Sequence, residues 1–232
     1  MRHILYFFII LFLFNCNQKQ KLTSDHSLET KADTISYTLG ADIGENLKRQ
    51  INPKIDFDYD ILLSGIVDVY ENGKIKIDQN TQTKARMDLQ QLIQEKVSEA
   101  NIINLEEADA FLAKNKLENP DVKETPTGLQ YRVLYEGNGK TPSSFDKVKV
   151  HYLGRLLNGN EFDSSISRGK PAEFPLNRVI KGWTEGLQLM KEGDKFEFFI
   201  HPRLGYGDRS NPKIPGNSLL IFEVELIEVL ES

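Results

Sequence analysis

Cysteine is nearly absent from this sequence of 232 residues, which contains only Cys16. A single thiol excludes an internal disulfide and a cysteine-rich zinc site. Histidine is also scarce, and its four copies are scattered, so no two of them have the spacing of metal ligands. We therefore predict that the chain needs neither a metal nor another cofactor.

An excess of basic charge is lacking as well. Lys and Arg number 29 against 34 Asp and Glu, which gives a net charge of −5. Binding to nucleic acid requires a dense basic surface, so nucleic acid is not expected as the main partner. Apolar residues make up 39% of the chain, enough for a substantial core, and the length allows two small domains.

Long apolar runs are missing except at the beginning, where residues 4–14 follow Arg2 and His3. This run is shorter than the roughly 20 residues that span a bilayer, but it suits the core of a signal peptide. We predict a signal peptide over residues 1–15. No later run spans a membrane, so the rest of the chain is expected to be soluble.

Cys16 follows this run directly, and the polar stretch after it predicts a flexible tether over residues 16–30. The arrangement resembles a bacterial lipoprotein signal, in which a lipid-modified cysteine becomes the mature N-terminus. Leu13 fits that pattern, whereas Phe14 and Asn15 depart from it. The resemblance implies lipidation of Cys16 and an extracytoplasmic protein anchored to a bacterial membrane facing the periplasm. The alternatives are a signal peptide that merely contains a cysteine, or an uncleaved anchor.

Residues 31–117 have the periodicity of helices and little strand pattern. A first helix carries apolar residues four apart, a second begins near Asp58 or Asp60 and ends at Gly73, and a third runs from about Thr81 to Lys116. At about 35 residues the third helix would span ~50 Å, too long for so little chain to bury. We therefore predict a homodimer through residues 31–117. The alternative is a compact helical subdomain that packs on its own C-terminal domain.

The pattern changes after residues 118–127, where two X-Pro steps and a Thr-Gly predict a linker. Residues 128–232 then show alternating apolar positions typical of antiparallel strands, interrupted by one helical stretch from about Lys181 to Met190. The predicted fold class is α+β, with an antiparallel sheet wrapped on one short helix, preceded by an all-α region that ends in a long helix.

Six motifs of this second half occur in the order and spacing of an FKBP domain: VHYLG at 150–154, FDSS at 162–165, VIKGW at 179–183, GDK at 193–195, LGYG at 204–207 and IPGNS at 214–218. The helical half resembles the N-terminal dimerisation module of bacterial FKBPs of the FkpA and macrophage infectivity potentiator type. That likeness includes SYTLG at 36–40.

The resemblance implies a peptidyl-prolyl cis-trans isomerase whose pocket residues carry over one at a time. Trp183 matches the pocket floor, although without the resemblance it would be assigned to plain core. Tyr206 and the backbone N–H of Ile180 match donors to substrate carbonyls, and Asp163 matches the aspartate that orients the twisted amide. The remaining walls are Tyr152, Phe162, Phe174, Val179, Ile180 and Phe222. Catalytic contacts are expected from Asp163, Tyr206, Tyr152 and Phe222, and the resemblance also allows macrolide-type FKBP ligands to bind.

The residues themselves offer no Ser–His–Asp or Cys–His arrangement, and proline isomerisation needs none. Its barrier of about 18–20 kcal/mol is amide resonance, which is lost as the C–N bond twists. An apolar pocket that removes water lowers this barrier, because water stabilises the planar amide more than the twisted one. The leading hypothesis is an isomerase acting on unfolded or partly folded polypeptides with X-Pro bonds. The alternative is a dimeric periplasmic chaperone whose isomerase activity is secondary.

Overall fold

The structure is a computed structural model that describes residues 27–51 and 55–230. The helices are α1 (Lys31–Gln50), α2 (Tyr59–Asn72), α3 (Gln79–Glu118) and α4 (Lys181–Leu187). The strands are β1 (Val122–Glu124), β2 (Gln130–Tyr135), β3 (Lys147–Leu156), β4 (Glu161–Ser164), β5 (Ala172–Pro175), β6 (Lys195–Ile200) and β7 (Leu220–Leu230). The predicted signal peptide and Cys16 lie outside the described residues.

Short carboxylates begin the second and third helices. The Asp58 side chain accepts a hydrogen bond from the Ile61 N–H, so Asp58 rather than Asp60 caps α2. Gly73 ends α2 with φ of 59°, a left-handed conformation that glycine adopts without steric cost. Asp78 caps α3 through the Thr81 N–H, so α3 starts two residues before the predicted Thr81.

The chain divides into two compact units. One holds α2 and most of α1, and the other holds α3 and every strand. In the first unit the predicted apolar stripe of α1 is largely exposed, with Ile35, Leu39 and Ile43 exposed by 51%, 59% and 42%. None of the helices among the described residues is both long and apolar enough to cross a bilayer.

In the second unit α3 is a continuous helix of 40 residues that buries only its C-terminal part. Ala108 and Leu112 pack with Phe199, Leu219 and Ile221 of the sheet domain. The segment 118–127 differs from the predicted linker, because it contains β1, which pairs antiparallel with β2. The ladder hydrogen bonds of β1 extend the sheet next to the end of α3.

The sheet is antiparallel, with strand order β1-β2-β6-β7-β3-β4 and β5 paired with β3. Strand β3 alternates as predicted, since Val148, Val150 and Tyr152 are buried and the residues between them are partly exposed. Helix α4 covers the buried face closely. A Cβ on Gly186 would lie 2.6 Å from Phe198, so only glycine permits this approach. The predicted α+β class, with its long N-terminal helix, is confirmed.

Candidate functional site

A cavity of about 670 Å³ lies between α4, strands of the sheet and the loop before β7. The structure brings all the predicted pocket residues together around it: Tyr152, Phe162, Asp163, Phe174, Val179, Ile180, Trp183, Tyr206 and Phe222. These residues come from strands β3, β4, β5 and β7, from the start of α4 and from the loop before β7. The rest of the lining comes from Arg178, Asn211, Lys213 and Ile214.

Aromatic rings meeting edge to face form the floor of the cavity. The Trp183 ring lies 5.2 Å from that of Tyr152, 5.5 Å from that of Phe174 and 5.2 Å from that of Phe222, with interplanar angles of 87°, 89° and 75°. Such T-shaped contacts hold each ring in one orientation. The Trp183 Nε1 is buried and has no hydrogen-bond partner among the described residues, so a polar atom sits unsatisfied beneath an apolar cup.

The backbone just before α4 places two residues at the rim of the cavity. Leu176–Arg178 form a single 3-10 turn, and Ile180 then serves as the N-cap of α4. This places Val179 and Ile180 at the cavity beside the first turn of the helix. Within the described chain the Ile180 backbone N–H donates to no acceptor, so it is available to a ligand carbonyl.

Tyr152 and Asp163 of the lining form a polar triad with Arg168. The Tyr152 hydroxyl donates to Asp163 Oδ2 at 2.5 Å, and Arg168 Nη2 donates to the Tyr152 hydroxyl at 2.7 Å. Arg168 also forms an ion pair with Asp163. Burial tends to raise the pKa of Asp163, but the hydrogen bonds from Tyr152 and Arg168 and the arginine charge outweigh it, so the pKa falls below its ordinary value.

Tyr206 stands apart from this triad. Its side chain is partly exposed, and among the described residues its hydroxyl makes no hydrogen bond. Burial and the nearby charge of Asp163 both raise the pKa of Tyr206. The phenol therefore stays protonated at neutral pH and can donate to an incoming acceptor.

Four lining residues and Arg168 were missed from the sequence. Asn211, Lys213 and Ile214 lie on the flap, defined here as residues 208–216, whose polar sequence has no period that assigns a direction to a side chain. Lys213 Nζ donates to the Phe162 backbone carbonyl at 3.1 Å. Arg168 lies five positions after Asp163, and that spacing was the one available signal for their pairing.

Two family comparisons cover most of the chain. Residues 138–227 match the family described as FKBP-type peptidyl-prolyl cis-trans isomerase, and residues 32–133 match the domain amino terminal to it. The chain is an FKBP-type peptidyl-prolyl cis-trans isomerase. The predicted family is thus confirmed for both halves of the sequence.

Relatives of this FKBP share its two-part organisation. The FkpA isomerase of Aeromonas hydrophila is 38% identical over 204 residues, covering 87% of this chain and 76% of the relative. The outer membrane protein MIP of Legionella longbeachae is 38% identical over 212 residues, covering 89% of each. The crystal structure of FkpA from Escherichia coli matches with a TM-score of 0.67 and 33% identity, over 88% of this chain and 99% of that one.

In this FKBP, α3 contacts the flap directly. Asn101 Nδ2 donates to the Asp208 carbonyl at 3.2 Å, and Asn104 Nδ2 donates to the Gly216 carbonyl at 2.8 Å. Asn217 Nδ2 in turn donates to the Asn101 carbonyl at 3.1 Å. Both ends of the flap are therefore attached to the long helix, while its middle lines the cavity.

The FKBP cavity is suited to binding and desolvation. Asp163 is its single lining carboxylate, and that carboxylate is already paired with Arg168. Among the described residues no group of three or more His, Cys, Asp or Glu side chains is arranged to hold a metal ion. What the cavity offers a substrate is aromatic surface, a phenol donor and a backbone N–H donor.

Proposed function

We propose that this isomerase twists X-Pro bonds of extracytoplasmic polypeptides inside the aromatic cavity, with Trp183 as the floor. The observation that carries the proposal is the cup of T-shaped rings around Trp183, with donors at its rim. Such a cup removes water from the amide, and water favours the planar ground state over the twisted state. Each 1.4 kcal/mol of barrier removed in this way gives about a tenfold gain in rate.

Roles of the pocket residues follow from their placement. The Tyr206 hydroxyl and the Ile180 N–H bond two substrate carbonyls, because both donors are unused among the described residues. Asp163 orients the twisted amide as a fixed charge held by Tyr152 and Arg168. Phe162, Phe174, Val179 and Phe222 serve as apolar walls. Macrolide-type ligands would occupy the same surface.

The test is a proline-limited peptide isomerisation assay on the mature chain. Tyr206→Phe removes one hydrogen bond and should lower kcat/KM about five- to tenfold, and Asp163→Ala should also lower it. The matched control is Tyr135→Phe, because Tyr135 is exposed and does not line the cavity. Rates equal to those of the unmodified protein in both pocket variants would contradict these roles.

We also propose that the chain forms a homodimer through residues 31–117. Support comes from the apolar side chains that α1 leaves exposed, among them Ile35, Leu39 and Ile43. Exposed apolar stripes at helical spacing are typical of helices that pack on a partner. Light scattering at micromolar concentration should give twice the chain mass, and Leu39→Glu should weaken the dimer where Lys48→Glu does not. A monomer mass for the unmodified chain would refute the proposal.

We further propose that Cys16 carries the lipid that anchors the mature protein on the periplasmic side of a bacterial membrane. The apolar run before Cys16 supports this, as does the relative described as outer membrane protein MIP. Metabolic labelling with a fatty acid should tag the protein, and Cys16→Ser should abolish the label. Labelling that persists in this variant, or no labelling of the unmodified chain, would contradict the proposal.

A chaperone with an incidental pocket is the less favoured function. A chaperone that only holds unfolded chains would not need the complete set of Trp183, Tyr206 and Asp163 at one cavity. The two functions separate in an assay with a proline-free unfolded client. Tyr206→Phe should leave suppression of that client's aggregation unchanged while it slows proline isomerisation.

A further inference from the structure

Two cationic side chains line the proposed isomerase cavity, Arg178 and Lys213. Neither forms an ion pair within the described part of the chain. A third cation, Arg168, is used internally because it pairs with Asp163, the one carboxylate of the lining. The cavity wall therefore presents two uncompensated positive charges to whatever occupies it.

These two cations belong to different segments of the rim. Arg178 directly precedes Val179 and Ile180, which carry the candidate backbone donor, and its side chain is exposed. Lys213 lies on the flap, where its ammonium group donates to the Phe162 carbonyl at 3.1 Å. An ammonium group has three donors, so Lys213 is held in place and still has N–H groups for an anion.

The positive rim does not reflect a generally basic protein, since the whole chain has a net charge of −5. The flap residues that do not line the cavity include both an acid, Asp208, and a base, Arg209. Of the charged residues in the lining, only the bases Arg178 and Lys213 form no ion pair among the described residues. Electrostatic complementarity at a binding site contributes mainly to the selection of partners.

From this arrangement we infer that Arg178 and Lys213 affect which X-Pro sites the isomerase prefers. An acidic residue immediately before or after the proline should be preferred over an uncharged residue of the same shape at that position. The inference rests on the proposed assignment of the cavity as the isomerase site. A carboxylate about 5 Å from one of these solvent-exposed cations, at a dielectric of about 50–80, close to that of water, corresponds to about a three- to tenfold gain in kcat/KM. The gain should shrink at 1 M salt, where the screening length is about 3 Å.

The test compares short peptides with uncharged ends in a protease-free isomerisation assay on the full mature chain. Glutamate is placed directly before or directly after proline, and the reference peptide carries glutamine, which has the same shape without the charge. We expect a glutamate-to-glutamine ratio of kcat/KM of about three to ten at low salt for at least one position. Arg178→Gln combined with Lys213→Gln should bring that ratio to about one, whereas the control Arg209→Gln should keep it.

Two results would overturn the inference: a ratio of one in the unmodified protein at low salt, or a raised ratio that survives in the double variant. Tyr206→Phe separates this failure from failure of the cavity assignment. If Tyr206→Phe slows the glutamate and glutamine peptides equally, the cavity is the isomerase site whatever the ratio is. If it slows neither peptide, the cavity assignment itself is wrong.

Discussion

Gly154 of β3 allows two walls of the proposed isomerase pocket to meet, and Gly154→Ala should separate them. In the sheet register Gly154 lies between Asp163 of β4 and Phe222 of β7. A Cβ at this position would lie 2.7 Å from two ring carbons of Phe162 and 2.7 Å from Phe222 Cε1. The two rings already contact each other edge to face, with centroids 5.3 Å apart.

The size of the effect follows from these distances. Carbon atoms in contact normally stand about 3.5–4.0 Å apart, so the rings would have to retreat by about 1 Å. Inserting one methyl group into a packed site costs about 1–3 kcal/mol of unfolding free energy. Because both rings are pocket walls, the same shift should misplace the bound amide and lower kcat/KM at least about tenfold.

The two effects are measured by urea unfolding and by the peptide isomerisation assay, at a temperature where the variant is fully folded. Leu226→Val is the control, because Leu226 is fully buried in the core but does not line the cavity. It should cost about 1 kcal/mol of stability, from one lost methylene group, and leave kcat/KM unchanged. Normal activity in folded Gly154→Ala would refute the claim that Phe162 and Phe222 shape the catalytic surface.

Three further predictions concern charge and the flap. Glu197 is buried, and its carboxylate oxygens lie 2.6 Å from Arg132 Nη2 and 2.7 Å from Arg155 Nη2. Glu197→Ala should lower the unfolding free energy by about 1–3 kcal/mol, a moderate loss because the two arginines are partly exposed and remain solvated without their partner. An unchanged urea midpoint would contradict this prediction. The pH profile of kcat/KM should be flat between about pH 5 and 9, because Asp163 ionises below this range and the Tyr206 phenol above it. A bell-shaped profile would instead indicate proton transfer. Asn104→Ala should speed amide hydrogen exchange in the flap, as followed by mass spectrometry, and unchanged exchange would show that α3 does not restrain it.

The lowered pKa of Asp163 also predicts how the stability of the fold depends on pH. Its pKa is lowered in the folded protein, so its contribution to stability is complete above the ordinary value of 3.8 and is lost as pH falls through the folded value. Stability should therefore decline on acidification. Asp163→Asn should make this decline shallower, which urea titrations at several acidic pH values would detect.

The aromatic pocket was predictable because its residues lie in short motifs that resemble those of the FKBP family, and strand alternation independently assigns a face only to the pocket residues that lie on strands. For Tyr152, strand alternation alone predicts the same face of β3 as for Val148 and Val150. For Trp183, sequence periodicity alone does not decide between core and pocket. A lone tryptophan on a short helix satisfies the pattern of a core residue equally well, and without the family resemblance only its surroundings in the structure distinguish the floor of a cavity.

What the sequence could not supply is the position of α3 on the sheet. Strand alternation assigns Gln130 to the outer face of β2, where a polar residue would meet water. In the structure α3 covers that face, so Gln130 is buried and its amide donates to the Leu112 carbonyl at 2.9 Å. Asn115 completes the contact by donating to Gln130 Oε1 at 3.0 Å. The two amides connect α3 to β2, and no sequence periodicity predicts that these two elements pack together.

The electrostatics of the pocket favour catalysis by fixed groups over catalysis by proton transfer. General acid–base catalysis works best when the pKa of the catalytic group lies near the working pH. The pKa values of Asp163 and Tyr206 move in opposite directions away from neutrality, one down and one up. A neutral phenol can bond a carbonyl, and a fixed carboxylate can orient an amide, without either changing its charge as the C–N bond twists. In the mechanism that we propose, the main reduction of the barrier then comes from the aromatic walls, which exclude the water that stabilises the planar amide.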